Sequence, residues 1–115
     1  MRWNLEFLND KVEQETLALP PDILADLLHI FELIEENGLN IGKHYTKPIS
    51  GHKGLFEIRA KAASGIGRSL YCYNVGRTII ILHSFVKKTE KTPSKAISIA
   101  LERMKELKHD QNKIK

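Results

Sequence analysis

Residues 79–93 read Ile-Ile-Ile-Leu-His-Ser-Phe-Val-Lys-Lys-Thr-Glu-Lys-Thr-Pro. A run this rich in β-branched side chains has the composition of a strand covered on both faces, and Thr-Pro is how a helix opens. Between the two, Lys87, Lys88 and Lys91 leave the strand together. That exit, where three cations are anchored near one place, is where chemistry is expected.

Two more strand patterns lie upstream, at about 54–61 and 68–75, before the strand at 78–86. They are joined by Ala-Ser-Gly-Ile-Gly and Val-Gly-Arg, short enough for hairpins, so this part of the sheet is expected to be antiparallel. Nearer the N-terminus, Trp3, Leu5 and Phe7 alternate with Asn4 and Glu6 as in a half-buried strand. Asn9 is placed to cap a brief helix running to about Ala18. Pro20-Pro21-Asp22 opens a longer helix, in which Leu24, Leu27, Leu28, Phe31 and Ile34 recur at helical spacing until Gly38 stops it. Its outer face is acidic, with Asp26, Glu32, Glu35 and Glu36. Residues 39–53 show neither period, and a loop that long inside a compact domain is expected to be either functional or disordered. Thr92-Pro93 starts a last helix with Ile97, Ala100, Leu101, Met104 and Leu107 on one face, and the polar tail beyond is expected to fray. The fold class is therefore α+β: an N-terminal strand, two helices, an antiparallel-rich sheet of three further strands and a C-terminal helix.

The 115 residues suit a single domain spanning 1–115. The formal charge of +4 conceals an asymmetry. Residues 1–42 hold two basic side chains against nine acidic ones, whereas residues 43–91 hold ten basic against only Glu57 and Glu90. An acidic helical third thus precedes a basic β-rich centre, a distribution that draws a polyanion to one face and points to nucleic acid. No apolar stretch approaches a membrane span or a signal peptide, so no membrane association and a cytoplasmic location are expected. Cys72, the lone cysteine, reads as a packing residue.

Period two along 54–61 puts Phe56 and Ile58 on a core face, with Glu57 and Arg59 on the other, either as an ion pair or as a phosphate-handling pair. Arg68 is expected at a sheet edge, its guanidinium reaching outward. Its parity groups it with Leu70 and Cys72 and sets Tyr71 with Tyr73, without deciding which set faces the core. His83 shares parity with Ile79 and Ile81 and reads as buried. Together with Lys53, Lys61, Lys87, Lys88 and Lys91, these residues suggest a shared basic surface. The basic half has too few carboxylates to hold Mg²⁺ for two-metal cleavage, so neither metal nor cofactor is expected. RNA carries its own nucleophile. A protein can cleave it by aligning the 2′-hydroxyl with the phosphorus and neutralising the transition state with Arg and Lys, given a proton path among Glu57, His83, His52, Tyr71 or a lysine.

The segments Gly-Leu-Phe-Glu-Ile-Arg (54–59), Gly-Arg-Ser-Leu-Tyr (67–71), Leu-His-Ser-Phe-Val-Lys-Lys-Thr-Glu-Lys-Thr-Pro (82–93) and Ile-Ala-Leu-Glu-Arg-Met (99–104) resemble the HigB branch of the RelE toxin superfamily, including its phage-derived members. The resemblance covers roughly residues 45–105. It implies the toxin of a type II toxin–antitoxin pair: a ribosome-dependent mRNA endoribonuclease held in a hetero-oligomer by a helix-turn-helix antitoxin. It assigns phosphate contact and transition-state stabilisation to Arg59, Arg68 and the Lys87-Lys88 pair, and leaves the general base and acid open. Taken with the reading of the residues themselves, the candidate catalytic set is Arg59, Arg68, Lys87, His83 and Glu57, and the candidate RNA-binding set is Lys53, Lys61, Tyr71, Lys88 and Lys91. Two positions depart from the pattern: Glu57 stands where some relatives have a basic catalytic residue, and Ile97 where some have a tyrosine. A non-catalytic RNA- or DNA-binding module, or a degenerate phage relative acting through protein contacts, are the competing readings.

Overall fold

The computed structural model describes residues 2–38, 45–74, 76–87 and 92–114. Along the chain run β1 (Asn4–Phe7), α1 (Asp10–Leu17), α2 (Pro21–Asn37), β2 (Thr46–Pro48), β3 (Phe56–Ala62), β4 (Gly65–Asn74), β5 (Thr78–Lys87) and α3 (Ser94–Ile114). The strands form one sheet in the order β1-β5-β4-β3-β2. β1 lies parallel to β5 and every other pairing is antiparallel. The α+β architecture is the expected one, with one strand more. β2 comes from the stretch that reads as loop: three residues ending in proline carry no period, and Pro48 is tolerated because the strand is an edge.

The two sheet faces are covered differently. On one, α1 and α2 pack Val12, Ile23, Leu27, Ile30, Phe31 and Ile34 against Ile58, Ala60, Tyr71, Ile79 and Ile81. On the other, α3 packs Ala96 and Ala100 against Leu55, Leu70, Cys72, Ile80 and Leu82. The small residues at 96 and 100 let the helix lie close to the sheet. The last helix extends to Ile114.

Local chemistry fixes the ends of the elements. Asn9 Oδ1 accepts from Val12 N at 3.0 Å, capping α1. Pro21 occupies the first turn of α2, and Gly38 (φ 71°) ends it. Trp3 Nε1 would lie 2.6 Å from a Cβ added at Gly38, so that corner admits only glycine. Asp22 and Asp26, one turn apart on α2, accept the backbone N–H groups of Ser64 and Lys61 at 2.9 Å each, tying the helix to the β3–β4 hairpin. Asp26 therefore does more than solvate the outer face of the helix. The Gly65-Ile66-Gly67 segment, which reads as a turn, belongs to β4. There Gly67 passes beneath Ile23, whose Cγ2 would lie 2.3 Å from an added Cβ.

One irregularity redirects the second half of β5. Leu70 pairs with His83 but Tyr71 pairs with Ile81, leaving Leu82 as the extra residue of a β-bulge. Before it, Ile79 and Ile81 face α1 and α2. Beyond it the alternation is reset, and His83 joins Leu70 and Phe85 on the α3 face. The parity linking His83 to Ile79 and Ile81 is therefore corrected by the bulge.

Candidate functional site

Strand register places Lys47, Glu57, Arg59, Lys61, Ile66, Arg68, Phe85 and Lys87 on the α3 face of the sheet. Arg59 and Arg68 are direct partners across β3 and β4. Two guanidinium stems side by side repel unless an anion stands between them, and Glu57 supplies it. Its carboxylate is fully buried and accepts from Arg68 Nη1 at 2.9 and 3.1 Å. Thr92, at the approach to α3, donates its hydroxyl to Glu57 Oε2 at 2.6 Å and accepts from Arg68 Nη1 at 3.3 Å. Lys47 Nζ lies 3.5 Å and Arg59 Nε 3.4 Å from Glu57 Oε1. Arg59 Nε is close enough to feel that charge yet buried without a hydrogen-bond partner among the described residues.

Three cations thus share one carboxylate, and they do not share it equally. The Arg68 side chain is wholly buried, that of Arg59 is 22% exposed and that of Lys47 is 43% exposed. Arg68, expected to reach outward from an edge, instead occupies the middle strand of the sheet, where helices cover both faces. Its Nη1 engages Glu57 and Thr92. The surplus positive charge reaches solvent through Arg59 and Lys47, with exposed Lys61 and half-buried Lys87 on the same face. What the arrangement can do chemically is bind an oxyanion at a rim whose cations are held from beneath by a buried acid.

A second constellation lies at the far side of β5, where β1 has ended and α1 packs instead. Arg103 of α3 makes a bidentate pair with Glu15 of α1, Nη1 to Oε1 at 2.8 Å and Nη2 to Oε2 at 2.9 Å. Arg103 Nη1 also donates to the Leu82 carbonyl at 2.8 Å, the carbonyl of the bulged residue. His83 Nδ1 is 2.9 Å from Glu15 Oε1, and its ring stacks on Phe85 with centroids 5.2 Å apart. Burial pushes the Glu15 carboxyl up, but the hydrogen bonds and charges of Arg103 and His83 outweigh it and hold the group below its ordinary range. Arg103 is correspondingly held above its own. Next to it, Thr16 donates to Ser84 Oγ at 2.7 Å on the opposite face, so α1 straddles the strand.

Residues 14–105 match the family described as phage-derived protein Gp49-like (DUF891). The chain belongs to that family. The Gp49-like chain also resembles a chain of the archaeal RelE–RelB complex from Pyrococcus horikoshii OT3, with a TM-score of 0.54 and 21% identity, covering 75% of this chain and 96% of that one. At that identity the likeness is one of fold. No curated protein sequence matches it significantly.

Set against the expected site of the Gp49-like chain, Glu57, Arg59 and Arg68 come together, and Lys61 and Lys87 share their face. Lys53 lies exposed in the turn between β2 and β3, as does the less exposed His52. Lys88 and Lys91 fall outside the described residues. Tyr71 is corrected: it is 1% exposed on the α1–α2 face, stacked on Phe56, and burial pushes its hydroxyl far up, so it is a core residue and not an RNA contact. Lys47, Thr92, Glu15 and Arg103 enter the site from the structure alone. Thr92 reads in the sequence as a helix cap, and Lys47 lies in the aperiodic stretch. Among the described residues, no helix is long and apolar enough to cross a membrane.

Proposed function

We propose that the protein is the toxin of a type II toxin–antitoxin pair, of the HigB type, and that it cleaves mRNA on the ribosome. The observation that carries the proposal is the buried Glu57 ringed by Arg68, Arg59 and Lys47, with the last two turned to solvent. The family match and the RelE-like fold agree with it. Such a cluster suits the phosphoryl oxygens of a phosphodiester, whose charge grows in the transition state. The 2′-oxygen attacks phosphorus, the P–O5′ bond breaks, and the products are a 2′,3′-cyclic phosphate and a 5′-hydroxyl. Glu57, already answered by three cations and Thr92, has no spare charge to offer a divalent ion, so the reaction runs on protein cations alone. Arg59 and Lys47 contact the phosphate. Arg68 and Thr92 hold Glu57, and Glu57 holds the other two in place.

A site this sparse in acid–base groups fits a reaction in which ribosomal RNA aligns the substrate. The inhibitory partner is a helix-turn-helix antitoxin in a hetero-oligomer. The test is incubation of purified protein with ribosomes programmed with a defined mRNA, with end analysis of the fragments. Cleavage leaving cyclic phosphate ends, reduced at least 10²-fold in Arg59→Gln by analogy with loss of one preorganised donor, supports the reading. Salt-dependent RNA binding without any turnover would replace it with a binding module.

A further inference from the structure

His83 lies on the sheet face that carries the cationic cluster, and its surroundings are better defined than packing requires. Glu15 is ionised, and an ionised carboxylate only accepts hydrogen bonds. The 2.9 Å contact therefore makes His83 Nδ1 the donor. Arg103 Nη1, also a donor, stands 3.4 Å from Nδ1 because both converge on Glu15 Oε1. Whatever the charge of the ring, its Nδ1 proton is committed, and Nε2 is the nitrogen left to exchange protons. A tie between α1 and α3 would be complete with the bidentate Arg103–Glu15 pair alone. Adding the imidazole contributes little to that tie but gives the ring one tautomer and, with Phe85 stacked at 25°, one plane.

We propose that His83 Nε2 is the base that removes the 2′-hydroxyl proton, with Glu15 and Arg103 as positioning residues that fix its tautomer and orientation. This rests on the nuclease reading of the cationic cluster. Phe85 is the register partner of Arg68, so His83 is diagonal to Arg68. Such neighbours are about 7–8 Å apart between strands. Arg59, which contacts the phosphate, is the partner of Arg68 one strand further from β5. The phosphate therefore lies over β4, reached by the long Arg59 side chain, with its adjoining ribose toward the imidazole. The proton passes from O2′ to Nε2 as the O2′–P bond forms. The departing 5′-oxygen takes a proton from water, and the imidazolium returns its own to solvent, so charge and protons balance.

The experiment has two arms on the intact chain. Long-range ¹H–¹⁵N spectra of histidine-labelled protein report the tautomer, and programmed ribosomes report cleavage. Neutral His83 is expected to be protonated on Nδ1, and Glu15→Ala is expected to lose that preference and at least 10-fold of the cleavage. Glu15→Gln, which keeps an acceptor oxygen, should recover part of both. His83→Gln should lose about 10²-fold, the usual lower bound for a positioned base. Should Glu15→Ala fail to fold in a urea titration, the wild-type tautomer and His83→Gln decide alone. A wild-type ring protonated on Nε2 overturns the proposal. So does His83→Gln cleaving at the wild-type rate while Arg59→Gln does not, and that outcome leaves the nuclease intact. Wild-type protein that cleaves nothing on ribosomes overturns the nuclease reading, and the role of His83 with it.

Discussion

Replacing Glu57 by glutamine tests whether the cationic cluster is assembled around its carboxylate. The substitution keeps shape and one acceptor oxygen but removes the charge that answers Arg68 at 2.9 Å, while that guanidinium stays fully buried. Breaking a buried ion pair from one side costs about 3–5 kcal/mol. Because the amide still accepts one hydrogen bond, and because solvent screens Arg59 and Lys47, the low end applies, about 3 kcal/mol. For a domain of this size that corresponds to a fall in Tm of about 12 °C, at about 4 °C per kcal/mol. The assay is urea and thermal unfolding of Glu57→Gln alongside the double variant Glu57→Gln/Arg68→Met. The double variant, which removes the stranded charge and keeps the volume, is expected to regain at least about 1 kcal/mol of the loss. If Glu57→Gln melts within about 2 °C of wild type, a shift worth about 0.5 kcal/mol, the carboxylate is not what holds the guanidinium inside, and the cluster is not built around it. For the same reason Arg59, not Arg68, is the better residue for testing activity, since Arg68→Ala would strand Glu57 instead.

Gly67→Ala forces a methyl group onto Ile23 Cγ2. It should cost about 1–3 kcal/mol in urea unfolding, and adding Ile23→Leu, which removes that branch methyl, should return much of it. Cys72 is buried, with burial pushing its thiol up to about 11 against a small opposing pull from Lys108. A disulfide reagent at pH 8 should therefore leave the folded protein unlabelled and react at once after unfolding, and rapid labelling of the native chain would contradict the packing. Glu15 and Asp22 are more acidic folded than unfolded: at Glu15 burial is outweighed by the Arg103 and His83 contacts, and at Asp22 the Ser64 hydrogen bonds dominate. The stability they add is complete above the unfolded carboxylate range, about 3.9–4.3, and is lost as pH falls through their folded values. Urea midpoints measured from pH 6 to 2.5 should decline, and the decline should be shallower in Arg103→Met, in which Glu15 returns toward its ordinary acidity.

Much of the fold is written in local patterns that need no partner. Asn9 caps α1 and Gly38 ends α2 because a side-chain acceptor and a positive φ are decided within a few residues. The alternation of Phe56 and Ile58 with Glu57 and Arg59 sorts β3 correctly into its two faces. What stays hidden depends on register. β2 is too short to show a period, and Lys47 gains meaning only opposite Glu57. Asp22 and Asp26 look like solvent-facing acids until the β3–β4 hairpin brings two backbone N–H groups to them. Tyr71 cannot be assigned a side by parity, because β4 is covered on both faces. Glu15, His83 and Arg103 come from three elements spread over 88 positions of sequence separation, and nothing local links them.

The unpaired Leu82 works like a frameshift in side-chain direction. Upstream of it, odd-numbered residues of the strand serve the hydrophobic interior beneath the first two helices; downstream, the same odd numbers serve the opposite side. Were this same sequence paired as an uninterrupted ladder, Ser84 and Val86 would project where the imidazole, Phe85 and Lys87 now do. A regular strand here would have to be one residue shorter to keep an imidazole, an aromatic ring and a lysine on the side that α3 covers, and an alignment drawn without that gap would compare residues that point to opposite sides of the sheet.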